Sequence, residues 1–487
     1  MSPNNISAID DSIFKQYETP NENSIEQALK EALSLLNRKI VVLDDDPTGV
    51  QTVHDIFVYT SWDRQSIESG FAEANPMFFI LTNSRGLPAE KTRQVHEEIG
   101  RNIAVISKKR AQKYIIVSRS DSTLRGHFPL ETMTLRDTLE RDTEIKFDAE
   151  IVIPFFKEGG RFTINNIHYV REGHMLIPVG QTEFAKDKTF GFYSSHLGEW
   201  VEEKTKGAFT KESCTYISLE DLRSVNTKKI LDQLMKVKNF NKVIVNAIDY
   251  IDLKVFFIAL ARAIELGKEF IFRTASAVPK ILGQIPDIPF LSRSDLMNKG
   301  NHSGGLVIIG SHVNKTTQQF ELLKELGDQV EFIEFNQHLV LTPGGLDSEV
   351  ERAKELAEGS ISKGKTVIIY TRRERFDLDT DDKEQQLAVS VKISAALTSI
   401  VEKMQVRPSY ILAKGGITSS DIGIKALRLK RALVKGQAKP GIPVWMTGNE
   451  SKFPDLPFII FPGNVGEKDT LRQIIEELNP NQNKIHI

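Results

Sequence analysis

The sequence holds a single cysteine, Cys214, among 487 residues. That excludes an intrachain disulfide and a zinc site built from several thiolates, and it suits a reducing compartment. No run of about 18 apolar residues occurs, so no membrane-spanning helix is expected. The opening stretch MSPNNISAIDDS lacks the basic and apolar regions of a secretory signal. Excess charge is missing too: 63 Lys and Arg nearly balance 65 Asp and Glu, which removes the basic field that would draw nucleic acid or an anionic membrane. Neither GxxxxGK[ST] nor GxGxxG appears, so standard P-loop and dinucleotide sites lose support. HExxH is likewise absent, and VHEEI at 95–99 reads as a solvated helix face. The expectation is a cytoplasmic protein that acts on small molecules, with neither nucleic acid nor membrane as partner.

What the chain does have is alternation. Its length calls for two or three domains. Residues 24–37 place Ile25, Ala28, Leu29, Ala32, Leu33 and Leu36 at helical spacing, with Ser24 as N-cap. Strand-like runs follow at 39–44, 77–82, 113–118, 149–154 and 242–246, separated by amphipathic stretches. The pattern loosens between 274 and 303 into a Pro-, Gly-, Ser- and Asn-rich stretch, where a domain junction is placed. A second series then begins, with strands at 305–309, 365–370, 409–413, 442–446 and 458–461 and helices near 314–326, 346–363, 383–404 and 466–478. Such alternation predicts two α/β domains with mainly parallel sheets and an active site in the cleft between them. The divisions are an amino-terminal helical extension, 1–38, a first domain, 39–285, and a second, 286–487. The stretch 157–215 fits neither series and reads as a long irregular or hairpin insertion near a site.

Three loop groups carry the chemistry. The first is LDDDPTG, where Asp44, Asp45 and Asp46 end an apolar strand and Thr48 and Gly49 begin a turn able to receive an anion. Adjacent carboxylates repel unless a cation, a donor or a proton compensates them. The second is SRSDSTLRGH, which packs Arg119, Asp121, Ser122, Thr123, Arg125 and Gly126 behind another strand, joined by Asn83, Ser84 and Arg85 from LTNSRGL. Guanidinium forks beside hydroxyl donors suit an anionic, hydroxylated ligand. The third lies in the second domain, at ILAKGGITSSDIG, where Gly415 and Gly416 lead through Thr418, Ser419, Ser420 and Asp421 into a helix whose free amides would face an anion. Gly310 with Ser311, and Gly463 with Asn464 and Gly466, form two more glycine turns at strand ends. Together the three turns favour a nucleotide site.

Two rival readings accompany these. Asp44-x-Asp46-x-Thr48 matches the DxDxT nucleophile loop of haloacid-dehalogenase-like phosphatases, with Asp44 as nucleophile. A non-catalytic sensor of a sugar acid or nucleotide would keep both sites without turnover.

In their order, LDDDPTG, SDSTLRG, GSHVNKTTQQ, KGGITSSD and PGNVG resemble the signature loops of the four-carbon acid sugar kinase family, over about residues 39–478. The resemblance implies a substrate domain followed by a nucleotide domain, ATP and Mg²⁺ as cofactors, and phosphorylation of a hydroxyl on a tetronate, a 3-oxo-tetronate or a 3-oxo-isoapionate. By motif it implies catalytic roles among Asp46, Asp45 and Asp121, with Asp46 favoured as base. Asp45, Thr48, Asn83, Ser84, Arg85, Arg119, Asp121, Ser122 and Arg125 would bind the sugar acid. Ser311, Gly415, Gly416, Ile417, Thr418, Gly463 and Asn464 would bind the nucleotide. Metal ligands stay unassigned, and the implied partner is a small sugar acid, with a homodimer as an admissible assembly. The sequence departs from the family pattern at Asp44, which is extra, at Arg119 and Ile417, which replace a lysine and an acid, at Val313, which replaces a serine, and at Phe461-Pro462, where the usual lysine is absent. These departures mark a divergent subfamily.

Overall fold

The computed structural model describes residues 6–298, 300–374, 376, 383–463 and 465–479. The chain divides into two compact units, Met1–Thr52 with Ser61–Pro286, and Val53–Thr60 with Asp287–Ile487.

The first unit contains β1 (Ile9–Asp10) and β2 (Lys39–Asp44). The chain then gives β3 (Ile56–Tyr59) to the second unit. It continues with β4 (Met77–Leu81), β5 (Tyr114–Arg119), β6 (Ala149–Ile153), β7 (Arg161–Ile164), β8 (Ile167–Glu172), β9 (Met175–Pro178), β10 (Thr215–Ile217), β11 (Asn241–Val245) and β12 (Phe270–Thr274). Seven of these form a wholly parallel sheet in the order β10-β11-β6-β12-β5-β2-β4. Parallel sheets are covered on both faces, which is why the strands are continuous apolar runs. Every residue of β2, β4, β5, β6 and β12 is buried. The winding reverses between β2 and β5: the chain passes from β2 to β4 on one flank, then returns to β5 on the other. Ligands of such sheets gather at the carboxyl ends beside that switch point. The aspartate triplet leaves β2 there, and SRSDSTLRG leaves β5.

One expectation is corrected, and another is settled between its alternatives. The helix anticipated at 24–37 spans Glu22–Ser34, and its N-cap is Asn21, whose side chain accepts from the Ser24 amide, so Ser24 lies inside the first turn. Ile25, Leu29 and Leu33 are its buried stripe, and Glu22 and Glu26 pair with Lys254 on the helix Tyr250–Glu265. The stretch 157–215, read as irregular or hairpin, begins with hairpins. Its β7, β8 and β9 make an antiparallel array that β1 joins at the edge through β9.

The second unit holds β3, β13 (Leu306–Ile309), β14 (Val330–Phe335), β15 (Thr366–Thr371), β16 (Ile411–Lys414), β17 (Arg431–Lys439), β18 (Ile442–Thr447) and β19 (Pro457–Phe461). Their order is β3-β17-β18-β19-β16-β13-β15-β14. β3, β17, β18 and β19 pair antiparallel, and β19 through β14 run parallel. β16 has β13 and β19 as its neighbours, so the loops that leave these three strands are adjacent. The fold is thus two α/β domains with mainly parallel sheets.

Candidate active site

The aspartate triplet is compensated by arginines from the neighbouring loops. Asp44 is 1% exposed; its Oδ1 accepts from Arg119 Nη1 at 3.1 Å and from the Asp46 amide at 3.2 Å. Gly49 closes over the same carboxylate: a Cβ there would sit 1.9 Å from Oδ2, so only glycine fits. Burial, joined by the charges of Asp45 and Asp46 and opposed by Arg119, pushes the Asp44 carboxyl up to about 7. Asp45 is also buried and takes the Arg85 fork in two bonds, Nη2 to Oδ1 at 2.7 Å and Nε to Oδ2 at 3.2 Å. Burial raises its pKa against the pull of Arg85 and Arg119.

Asp46 and Asp121 shift the other way. Burial works against the Asp46 anion, but Arg85 and the Thr48 amide and hydroxyl outweigh it and hold its pKa below the ordinary value. Asp121 is depressed well below the carboxylate range, because Arg85 and Arg125, with the Thr123 hydroxyl, overcome its burial. Arg125 Nε reaches Asp121 Oδ2 at 2.7 Å, and its Nη1 lies 3.8 Å from Asp187. Burial opposes the Arg85 cation, yet Asp45, Asp46 and Asp121 raise its pKa well above the usual value. Two aspartates are therefore held ionised beside two that resist ionisation.

The anticipated residues separate into open and closed groups. Among the anticipated residues of the ion-pair cluster, Asp46, with its side chain 25% exposed, and Arg125, at 26%, are the most open. At Asp46, Oδ1 is occupied by Thr48, whereas among the described residues Oδ2 meets only Arg85 Nη2, at 3.6 Å. Ser122 and Asn83 are half-buried, and Asn83 adopts a left-handed backbone, φ 52°. Ser84 is fully buried and donates to Glu131 at 2.5 Å, so it braces the loop from within. Arg119, 6% exposed, is committed to Asp44, Asp45 and the Ser276 hydroxyl.

Several residues at this edge escaped the sequence reading. Arg273 lies on β12, between β5 and β6, and is 1% exposed. It donates to the Arg125 carbonyl at 3.0 Å and lies against Phe128 and Trp200, while its Nε and Nη1 have no partner among the described residues. His168 on β8 is fully buried. Its Nε2 bonds the Ser122 carbonyl at 2.8 Å, and its Nδ1 faces the Thr163 hydroxyl at 2.9 Å. Burial pushes it down to about 3, so it stays neutral and ties the hairpin array to the SDSTLRG loop. The apolar run FIFRT was the available signal for β12. His168 and Arg161 lay in the stretch that had no period.

In the second unit the three glycine turns meet. A Cβ at Gly310 would fall 2.7 Å from Thr418 Oγ1, one at Gly415 3.3 Å from Ser311 Cβ, and one at Gly463 3.5 Å from Ser311 Oγ. Thr316 donates to Ser311 Oγ and to the Gly463 carbonyl, both at 3.3 Å. A pocket of about 280 Å³ opens beside them, lined in part by Ser311, Gly415, Gly416, Ile417 and Thr418. Ile417 is 76% exposed at its rim. The helix entry differs from expectation: its N-cap is Gly415, φ 122°, and the Ser419 hydroxyl turns back onto the Ala413 and Gly415 carbonyls. Only glycine accepts that backbone readily, so the hydroxyl run sits inside the helix instead of capping it. Asn464 lies outside the described residues. Lys414, fully buried, bonds the Pro462 and Gly463 carbonyls at 2.7 and 3.3 Å and covers the Phe461 ring at 3.7 Å. Burial, aided by Lys315, pushes it down to about 6.

Comparison with known proteins gives two family models that divide the chain as the sheets do. A sugar-binding N-terminal domain matches residues 40–282, and a nucleotide-binding C-terminal domain matches 306–471. The chain belongs to the four-carbon acid sugar kinase family. Its acid–arginine cluster lies within the family's sugar-binding domain and its glycine turns within the nucleotide-binding domain. No curated protein matches the sequence. A Salmonella typhimurium LT2 protein provisionally described as a tRNA synthase shares the fold, with TM-score 0.62 and 14% identity over 89% of this chain and 98% of its own. A Haemophilus influenzae protein of the DUF1537 family follows, with TM-score 0.59 and 15% identity over 90% and 100%. At such identities the likeness concerns the fold. Among the described residues no three His, Cys, Asp or Glu side chains converge to hold a metal ion, and no helix is long and apolar enough to cross a membrane.

Proposed function

We propose that this member of the family is an ATP-dependent kinase that phosphorylates a hydroxyl of a small sugar acid of the tetronate, 3-oxo-tetronate or 3-oxo-isoapionate type. The observation that carries the reading is the mutual contact of three glycine turns on the nucleotide-binding domain, in a chain whose other domain holds a partly open acid–arginine cluster. Main-chain amides at such turns suit a polyphosphate; a side chain at Gly310 would collide with Thr418, and Gly415 holds a backbone that side chains rarely adopt. ATP would rest on Ser311, Gly415 to Thr418 and Gly463. Mg²⁺ commonly binds through one or two carboxylates together with substrate phosphates, which is compatible with the lack of a three-ligand cluster among the described residues. It would supply charge neutralisation on the triphosphate.

Asp46 is the candidate general base. It is held ionised, it is partly open, and its Oδ2 has only a distant arginine neighbour. A substrate hydroxyl at that oxygen would give up its proton as the phosphoryl group arrives in line, where positioning and charge neutralisation supply most of the acceleration. Asp45 and Asp121 hold Arg85 and Arg125 in place around it. The phosphatase alternative asks Asp44 to attack phosphorus. Its carboxylate is closed off by Arg119, the Asp46 amide and Gly49, which argues against that role.

The test is production of ADP and inorganic phosphate, with Mg²⁺ and ATP, across erythronate, threonate, their 3-oxo forms and 3-oxo-isoapionate, with product mass determined. ADP in step with a phosphorylated sugar acid is the expected outcome. Hydrolysis of sugar phosphates without ATP, and no substrate-dependent ADP, would overturn the proposal.

A further inference from the structure

A sugar acid brings a fixed negative charge, and the arginines anticipated to receive it are already engaged. Arg119 is committed to Asp44 and Asp45, Arg85 to Asp45 with Asp46 and Asp121 beside it, and Arg125 to Asp121. Arg161 differs from all three. It begins β7 in the connection that leaves the carboxyl end of β6, so topology brings it to the same sheet edge as the loops after β2, β5 and β12. Among the described residues it has no carboxylate within salt-bridge distance. Its Nη1 donates to the Gly159 carbonyl, and its Nε is buried without a partner.

Its surroundings tie it to the cluster. The Arg161 guanidinium lies 5.5 Å from the centre of the Phe184 ring, and that of Arg125 lies 5.0 Å from the same ring. Two cations beside one aromatic ring repel each other, and Asp121 acts on both. Arg125 has Asp121 and Asp187 to offset its charge; Arg161 has neither in contact. Burial and the nearby Arg125 accordingly depress the Arg161 pKa, with Asp121 opposing them. A half-buried, desolvated cation without a counterion is costly unless an anion completes it. Arg273 carries the same surplus charge, but at 1% exposed, behind Phe128 and Trp200, it reaches no ligand.

We propose that Arg161 is the carboxylate anchor of the substrate site, with Arg125, beside the same Phe184 ring, as its second cation. This inference rests on the sugar-acid reading. It adds that the acid group is held from the hairpin array, leaving the Asp46 side of the cluster for the hydroxyl that reacts. A planar guanidinium with free donors matches a carboxylate in two bonds, which an ammonium cannot reproduce.

Arg161→Met and Arg161→Lys test it in the full chain, with calorimetric binding measured without ATP and turnover measured separately. Probes are erythronate and threonate and, as uncharged counterparts, erythritol and threitol. Losing a hydrogen-bonded ion pair should weaken binding of the acids about 10- to 150-fold in Arg161→Met, less in Arg161→Lys. Weak alditol binding should stay as in the parent. The decisive readout is the acid-to-alditol ratio, which a merely structural role would leave unchanged while both ligands weakened together. Acid affinity in Arg161→Met within about twofold of the parent, or equal loss for acids and alditols, would overturn the anchor. Selective loss of acid binding in a protein without sugar-dependent ADP production would uphold the anchor and refute the kinase, so the two failures are distinguishable.

Discussion

Replacing Asp44 by Asn should stabilise the first unit in a pH-dependent way. In the structure both bonds to the Asp44 side chain fall on Oδ1, from Arg119 Nη1 and the Asp46 amide, while Oδ2 lies under Gly49. An Asn amide oxygen in the Oδ1 position keeps both bonds, and its NH₂ takes the place of a protonated Oδ2. Asn thus mimics the neutral acid. The parent carboxyl is raised from 3.8 to about 7, chiefly by burial. An acid raised on folding binds more protons folded than unfolded between those values. Its contribution to stability is therefore complete below the unfolded pKa and is lost as pH climbs through the folded one. From pH 5 to 8 about two units of that window remain, worth roughly 3 kcal/mol at 1.4 kcal/mol per unit. Urea denaturation in a Trp445→Phe background, followed by the fluorescence of Trp62 and Trp200, reports the first unit. Asp44→Asn should match the parent most closely near pH 5 and exceed it by that amount at pH 8. Parallel stability curves over this range would show that Asp44 is ionised throughout, and the argument from burial would fail.

Other outcomes follow from the same geometry. Asp46→Asn should lower kcat by about 10²- to 10⁴-fold, the usual contribution of a general base, while calorimetric binding of the sugar acid persists; near-normal turnover would remove Asp46 from that role. Gly310→Val should raise the KM for ATP or abolish nucleotide binding, because its Cβ meets Thr418 Oγ1 at 2.7 Å and Leu397 at 3.2 Å; sugar-acid binding to the first unit should be unaffected by calorimetry. Lys414→Met should flatten the stability of the second unit between about pH 6 and 10. The lysine is pushed down to about 6, so the unfolded chain binds the extra proton there and the parent gains stability as pH rises. Denaturation of the full chain in a Trp62→Phe, Trp200→Phe background, followed by Trp445 fluorescence, checks it, and an unchanged slope would count against a buried neutral amine.

Much of this was legible in the sequence where burial made strands continuous. KIVVLD, MFFIL, YIIVS and AEIVI are read by composition alone because both faces of a parallel sheet are covered. β12 was missed although it lies between β5 and β6, because an arginine interrupts its apolar run; Arg273 packs against Trp200 and Phe128, which come from distant segments. β17 was missed for another reason. It alternates between buried and half-buried positions, and its polar residues weaken a search for continuous runs. The loops that carry chemistry were found from residue types, but their internal division was not. Nothing local says that Ser84 points inward to Glu131 while Asp46 stays partly open, since both outcomes depend on partners about 40 residues or more away in sequence. Arg161 was hidden in a stretch whose antiparallel pairing includes a strand, β1, from the far end of the unit.

The excursion of Val53–Thr60 bears on how the protein is made. β3 pairs with the first residues of β17, Tyr59 with Arg431 and Ile56 with Val434. During synthesis β3 leaves the ribosome about 370 residues before its partner exists, so closing that pairing is a late event with a large loop-entropy cost. Until then the edge of β3 that β17 will fill stays open, the kind of edge that chaperones shield. The nucleotide-binding half is therefore not separable by cutting at residue 287. A fragment starting there would expose the β17 edge that β3 normally fills, and expression of that half alone would call for the missing strand to be grafted back on.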